Sequence, residues 1–354
     1  MNFPYIPIRD RKIRFALVGC GRIAKNHFEA IAAHADDAEL IDVCDTDEEA
    51  LAAAVRATGA KGHGSIETLL ASTSADVVIL TTPSGLHPAH TIAAARSGRH
   101  VISEKPMATR WPDGLRMVRE CDEAGVRLFV VKQNRRNATL QMLKRAVDAG
   151  RFGRIYLVAL NVFWTRPQEY YDAAKWRGTW EFDGGAMMNQ ASHYIDLLNW
   201  LVGPVESVQA YSAALGRKIE AEDTAVASLR WRSGTLGSLS VTMLTYPQNL
   251  EGSITVLGEK GSVRIGGVAV NEVQHWNFAE PDPQDEMIHE ASYHTTSVYG
   301  FGHPLYYRNV IDVLQGRDEP ETDGRSGLQS LELLTALYRS ARDGVRIALP
   351  LDRG

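Results

Sequence analysis

Cysteine is scarce in this chain: three residues among 354, at positions 20, 44 and 121. An odd count with no metal-ligand spacing excludes a disulfide framework and a cysteine metal site, and fits reduced thiols. Histidine offers one close pair, His87 and His90, with no further His or Cys cluster beside it, so no metal is expected. Long apolar runs are missing too. None approaches the roughly 18 residues of a membrane span, and the opening MNFPYIPIRDRK lacks the apolar core of a signal peptide, so the expected location is cytoplasmic, without a membrane partner. Positive charge is short: 38 Lys and Arg face 43 Asp and Glu, for a net charge of −5. Such a surface has no broad attraction for nucleic acid or anionic lipid, so an anionic ligand must be held by local groups. What is present is ordinary for a globular protein, 44% apolar and 23% charged, over a length sufficient for two cores.

The first 130 or so residues alternate short apolar runs with helical patterns. Residues 12–19, 39–45, 75–82, 99–105 and 126–132 read as strands, nearly continuous in apolar character as expected when both faces are covered. Segments such as 46–58 and 88–97 read as helices between them, with Thr46 and Glu49 as a capping box for the first. This alternation implies an α/β fold with a doubly wound parallel sheet over residues 1–134. From residue 135 onward, longer strand patterns appear at 154–164, 207–215, 223–232, 235–244, 251–257 and 261–267. Ser233-Gly234 and the stretch from Gly258 to Gly261 read as hairpin turns. Residues 135–354 are therefore expected to form an α+β domain with an open-faced, mostly antiparallel sheet and late helices near 304–315 and 327–342. An open sheet of that size needs a cover, which implies a homo-oligomer, dimer or tetramer.

Gly19, Gly21 and Ala24 in GCGRIA form G-x-G-x-x-A between the first strand and a helix. The first glycine permits the tight turn, the second lets a pyrophosphate reach the backbone, and the small third residue allows close packing of the helix. Asp45 ends the second strand, 26 residues after Gly19, where a carboxylate accepts from ribose hydroxyls and repels a 2′-phosphate. The expected cofactor is NAD. Thr81, Thr82 and Pro83 follow a later strand at its carboxyl end, where the crevice of such sheets lies. Glu104, Lys105 and Pro106 stand at the end of another strand, with the X-Pro bond a candidate for the cis form.

The stretch GGAMMNQASHYIDLL, residues 184–198, is the other unusual feature. As an α-helix it places Asn189, His193, Asp196 and Trp200 within about a 60° wedge, with Met188, Ala191, Ile195, Leu198 and Val202 opposite. Apolar flanks make that polar stripe look enclosed, and an enclosed histidine needs partners.

GCGRIA near the start, E-K-P about 80 residues on, and a GG followed by a helix with H-x-x-D together resemble the Gfo/Idh/MocA family of NAD(P)-dependent oxidoreductases. The resemblance covers nearly the whole chain. It implies a Rossmann domain joined to an open-faced sheet domain used for oligomerisation. Many members carry an aspartate one turn before the catalytic histidine; Asn189 stands there in this sequence, so either His193 or Lys105 serves as the base. MNQ-x-x-HYID, FWTRPQEYYDAAKWRGTWEFDGG (163–185) and YGFGHPLYYRNVIDVLQG (299–316) resemble the WlbA-type branch. Its members oxidise the C3 hydroxyl of UDP-N-acetyl-glucosaminuronic acid to a 3-keto sugar for bacterial surface polysaccharide synthesis, and some recycle the cofactor in place with 2-oxoglutarate.

By that resemblance Lys105 and His193 are catalytic, and Arg22, Ile23, His87, Glu104, Lys105, Trp176 and Arg177 join the residues expected around NAD. In the mechanism expected, His193 takes the hydroxyl proton, oriented by Asp196 or Asn189, and Lys105 stabilises the developing charge, or the two exchange roles. A substrate carboxylate and diphosphate ask for guanidinium forks and donors, with Gln133, Asn134, Arg135, Arg166, Tyr170, Asn189 and His303 as candidates besides Lys105 and His193. The competing readings are a dehydrogenase of a free sugar or inositol, and an NAD-binding regulator without turnover.

Overall fold

The structure, a computed structural model, describes residues 6–295 and 302–352, which leaves positions 299–301 of the late motif outside the described residues. The chain forms two compact units. One comprises the chain up to Lys132 together with His303–Leu331, the other Gln133–Gly302 together with the chain from Glu332 onward. The division thus differs from a single cut at 134, because His303–Leu331 returns to the first unit before the chain ends in the second.

The first unit is a six-stranded sheet of β1 (Ile13–Val18), β2 (Ala38–Cys44), β3 (Lys61–His63), β4 (Val77–Leu80), β5 (His100–Ser103) and β6 (Leu128–Val130). Its order is β3-β2-β1-β4-β5-β6, with every pairing parallel. This is the strand order of the doubly wound dinucleotide-binding sheet, whose crevice opens where the order reverses beside β1. β3 has only three residues and a single buried side chain, so it carried no readable apolar run. The helix Glu48–Thr58 is capped by Asp47, whose carboxylate accepts from the Glu49 and Ala50 N–H groups; this replaces the expected Thr46–Glu49 box. Phe15, Leu17, Val77, Ile79 and Ile102 share a core with Tyr307, Val310, Ile311 and Leu314 of the helix His303–Leu314. The apolar face of that helix is visible in sequence, but not which of two cores receives it.

The second unit is an eight-stranded sheet of β7 (Ile155–Phe163), β8 (Val205–Ala213), β9 (Thr224–Trp231), β10 (Leu236–Thr242), β11 (Glu251–Gly258), β12 (Gly261–Gly266), β13 (Glu272–Phe278) and β14 (Ile347–Ala348). The order is β13-β12-β11-β7-β10-β9-β8-β14; β7 and β10 run parallel and the other pairs antiparallel. The two expected hairpin turns join β9 to β10 and β11 to β12. Strands β13 and β14 escaped the sequence pattern, being polar on most positions and two residues long respectively. Alternate residues of β9, namely Ala225, Ala227, Leu229 and Trp231, point into the core, where the Trp231 indole N–H reaches the Leu198 carbonyl at 3.4 Å. The helix Ser192–Val202 lies on that side, with Tyr194, Ile195, Leu197, Leu198 and Leu201 buried.

Candidate active site

In the first unit, the glycine loop after β1 is shaped by contacts that leave no room for side chains. Gly19 has φ +101°, and a Cβ there would lie 2.7 Å from the Thr81 carbonyl carbon and the Thr82 nitrogen. The Thr81 hydroxyl donates to the Gly19 carbonyl at 2.5 Å, tying the loop after β4 to the glycine loop. A Cβ on Gly21, by contrast, would meet nothing within 4 Å, so a ligand has open access to the backbone there. Arg22 is exposed, Ile23 half-buried and Ala24 buried at the start of the helix Ala24–Ala32, which has no side-chain cap. The Ala24 and Asn26 N–H groups turn back to the Gly21 and Ile23 carbonyls at 3.1 and 3.0 Å, and the positive end of the helix dipole at this start favours an anion.

Asp45 accepts from the Cys20 N–H at 2.6 Å and the Asp47 N–H at 2.9 Å, so its carboxylate is fixed beside the glycine loop. Burial pushes the Cys20 thiol up to about 12, with Asp45 adding to the shift, which makes it a neutral, unreactive neighbour. Thr82 meets the ring of His90 at 3.2 Å. His87, expected beside the cofactor, is 1% exposed and has one ring nitrogen 2.9 Å from the Pro106 carbonyl and the other 2.8 Å from the Thr82 carbonyl. It braces the Thr82 loop against the Glu104–Pro106 loop.

Glu104 anchors the second of these loops from inside. Its carboxylate accepts the Lys105 N–H at 3.0 Å and lies 3.1 Å from His27 Nε2 and 3.8 Å from His303 Nε2. The Lys105–Pro106 bond is cis. Burial alone would raise the Glu104 carboxyl, but the hydrogen bond from His27, the nearby His303 ring and the charge of Lys105 hold it well below its usual range. Burial lowers His27, so the buried pair is an anionic carboxylate beside a neutral imidazole. Proton placement follows: His27 Nε2–H donates to Glu104, and Nδ1 accepts from the Tyr307 hydroxyl at 2.6 Å. Among the described residues, His27, Glu104 and His303 also make a group whose atoms suit a metal ion, within 4.8 Å of one another. Both His27 nitrogens are engaged in hydrogen bonds. His303, expected to meet substrate phosphate, stands at the start of its helix as the sequence indicated, but its ring packs edge-on against His27 and is 3% exposed.

In the second unit, the segment that opens on GG is not one continuous α-helix. Residues Ala186–Gln190 form a π-turn, closed by the Ala191 N–H on the Ala186 carbonyl at 2.9 Å, and the α-helix begins at Ser192. One extra residue in the turn rotates what precedes it by about 100° relative to an α-helical wheel. The expected stripe is therefore divided. Asn189 turns to Asp183, which it hydrogen-bonds, while Gln190 accepts from Arg166 Nε at 3.0 Å and donates to the Tyr170 hydroxyl at 3.1 Å.

His193 and Asp196 remain in line, both buried, and meet the short turn Gln133–Arg136. The Gln133 amide reaches His193 Nε2 at 3.1 Å, and both Asp196 oxygens accept from the Arg135 fork at 2.7 Å. Arg135 also lies over the Trp200 ring, 5.6 Å from its centroid. Gln133, which was not among the expected orienters Asp196 and Asn189, thus holds the imidazole. The Arg135 fork is closed on a buried carboxylate inside its own unit. Asn134, another expected substrate contact, is 2% exposed at the same turn.

Arg166, Tyr170, Trp176 and Arg177 form a second cluster. The Arg166 guanidinium lies 5.6 Å from the Tyr170 ring centre and Arg177 lies 4.3 Å from it, and Arg177 donates to the Tyr170 carbonyl at 2.7 Å. Arg177 also stands 5.6 Å from the Trp176 ring centre. The two residues expected near NAD and the two expected near substrate are thus neighbours. Sequence reasoning missed Gln190, Asp183, Glu222 and Tyr338. The last two bond the π-turn backbone from positions 35 or more residues away in sequence, and no local pattern marks them.

Residues 13–132 match the family model for an oxidoreductase NAD-binding Rossmann fold, and residues 144–349 match the model for the C-terminal α/β domain of the same family. The solved structure of the WlbA dehydrogenase from Bordetella pertussis, in complex with NADH and UDP-GlcNAcA, is 72% identical, with a TM-score of 0.96 over 98% of this chain and 100% of that one. The WlbA dehydrogenase from Chromobacterium violaceum, with the same two ligands, is 70% identical, with a TM-score of 0.95 over 99% of both chains. Among curated proteins, a D-apiose dehydrogenase from Paraburkholderia graminis is 28% identical over 96% of this chain and 90% of its own. The parallel sheet with its glycine loop and the matching of both models lead to one conclusion: the chain belongs to the Gfo/Idh/MocA oxidoreductase family.

Proposed function

We propose that this enzyme is an NAD-dependent dehydrogenase that oxidises the C3 hydroxyl of UDP-N-acetyl-glucosaminuronic acid to the 3-keto sugar. The observation that carries this reading is the 72% identity, over 98% of the chain, to a dehydrogenase whose structure holds NADH and UDP-GlcNAcA. The chain's own residues suit both ligands. Open space at Gly21, the uncapped start of Ala24–Ala32 and the fixed carboxylate of Asp45 fit a pyrophosphate and an unphosphorylated ribose. When bound, the nicotinamide accepts the hydride from the sugar carbon.

The roles of the protein groups follow from their chemistry. The Gln133 amide N–H donates to His193 Nε2, which marks that nitrogen as the one bearing a lone pair; the substrate hydroxyl must take the place of the amide there before its proton moves to His193. Lys105 supplies positive charge that favours the developing alkoxide. A uronate and a diphosphate bring negative charge to a chain of net −5, so local guanidinium groups must compensate; Arg166 and Arg177, with Tyr170, are the candidates. Arg135 acts instead by holding Asp196 and the turn that bears Gln133. We further assign the enzyme to surface polysaccharide synthesis in the cytoplasm, with 2-oxoglutarate as reoxidant of the cofactor. Exposed Leu157, Tyr211, Val226 and Leu236 on the strands of the open sheet support a homo-oligomer, dimer or tetramer, that covers this face.

The test is nicotinamide reduction by the purified protein with UDP-N-acetyl-glucosaminuronic acid, UDP-N-acetylglucosamine and free sugars, each with and without 2-oxoglutarate. Turnover confined to the uronic acid is expected. Turnover of a free polyol and silence with every nucleotide sugar overturns the substrate assignment.

A further inference from the structure

The π-turn before the His193 helix is held from behind by two side chains that the reaction does not use. Glu222, in the loop before β9, is 2% exposed, and its Oε1 accepts the Met187 N–H at 2.8 Å. The Tyr338 hydroxyl lies 2.7 Å from the same oxygen and 2.6 Å from the Gly184 carbonyl, and it accepts the Met188 N–H at 3.0 Å. Glu222 Oε2 has no hydrogen-bond partner among the described residues. It stands where Gly185, at φ +94°, would carry a Cβ, at a separation of 1.9 Å. Any other residue at 185 would drive the carboxyl out of this place.

Counting protons decides the state of the cluster. Tyr338 has one hydroxyl proton, and the Gly184 carbonyl can only accept, so that proton belongs on the Gly184 contact. The 2.7 Å contact between the phenol and Glu222 then needs a proton from the carboxyl, while the second lone pair of Oε1 takes the Met187 N–H. All four contacts are satisfied together only when Glu222 is neutral. Ionised Glu222 competes for the single phenolic proton, and either the Gly184 carbonyl or the carboxylate loses its bond.

We propose that Glu222 and Tyr338 are positioning residues for His193: a protonated carboxyl and a phenol brace the turn Ala186–Gln190, and activity falls as Glu222 ionises. Burial favours this protonation state, pushing the Glu222 carboxyl up to about 8 against the opposing bonds from Met187 and Tyr338. The other titratable groups acting on it are Tyr338, itself raised well above the ordinary tyrosine value by burial, and Asp183, whose negative charge raises both. Asp183 is held by the Gly178 N–H at 2.8 Å and by the Asn189 amide. Asp183 thus lies between the brace and Asn189, itself a residue expected at the substrate.

This inference rests on His193 as the base, so its first test does not use substrate. Amide exchange at Met187 and Met188, corrected for the intrinsic pH dependence and compared with strand amides of the same unit, is followed from pH 6.5 to 9.5. Loss of one brace bond predicts a step of about tenfold in protection centred near pH 8. Glu222→Gln removes the step, and Tyr338→Phe displaces it. A protein with no step, or a Glu222→Gln variant that keeps it, overturns the proposal. Turnover is the second readout: an alkaline limb of kcat near pH 8, lost in Glu222→Gln, with KM moving less than kcat. An exchange step without turnover of the uronic acid refutes the substrate reading and leaves the brace standing.

Discussion

In the unit of the parallel sheet, the expected cofactor residues sit on strand ends and act mostly through the backbone: a glycine with no space for a side chain, an uncapped helix start, a carboxylate fixed by two N–H groups. The unit of the mixed sheet builds its part of the proposed site from side chains of widely separated segments, with Gln133 on His193, Arg135 on Asp196, and Glu222 and Tyr338 on the π-turn. The difference concerns how function is stored. A phosphate cradle needs a short, local backbone shape, which one loop can encode. A proton acceptor in a buried setting needs its protonation and orientation set by partners, which folding must bring from elsewhere.

Substitutions test that contrast unequally. The largest stability effect is expected in the second unit from Arg135→Ala, which leaves the Asp196 carboxylate, 2% exposed, buried without its fork. A loss of roughly 3–5 kcal/mol in chemical denaturation is the expected scale. A loss below about 1 kcal/mol would mean that the pair is better solvated than its geometry indicates. In the first unit, Gly19→Ala forces a side chain into a left-handed conformation against the Thr81–Thr82 backbone, for about 1–3 kcal/mol of strain, read as weaker NADH binding in a fluorescence titration.

These two regions were also unequally legible. Gly19, Gly21, Ala24 and Asp45 were readable because their order along the chain is their order in space. His193 and Asp196 were readable as a polar pair on an apolar helix, but Asn189 was not separable from them, since a π-turn differs from an α-turn by one residue and leaves no apolar period to detect. Gln133 was named as a substrate contact but not as the partner of His193, and Glu222 and Tyr338 were not named at all, for another reason: a buried polar side chain has the same letter as an exposed one, and its burial depends on the tertiary fold. The return of His303–Leu331 to the first unit is the same difficulty at the scale of a helix.

The smallest effect sharpens the comparison from the cofactor side. Asp45→Ser removes the charge that repels a 2′-phosphate while leaving an oxygen near the Cys20 N–H, so the preference for NAD over NADP should narrow by about tenfold or more in kcat/KM. An unchanged ratio would assign the discrimination to another group. Its effect on stability should be minor beside that of Arg135→Ala.

The most direct test of the division of labour is a paired measurement on His193→Ala: the NADH dissociation constant and the turnover of UDP-N-acetyl-glucosaminuronic acid. Positioned bases contribute about 10²- to 10⁴-fold, so turnover should fall on that scale while NADH affinity stays within about twofold of the unmodified protein. Turnover that survives in this variant would contradict the assignment of the base to the second unit and transfer it to Lys105.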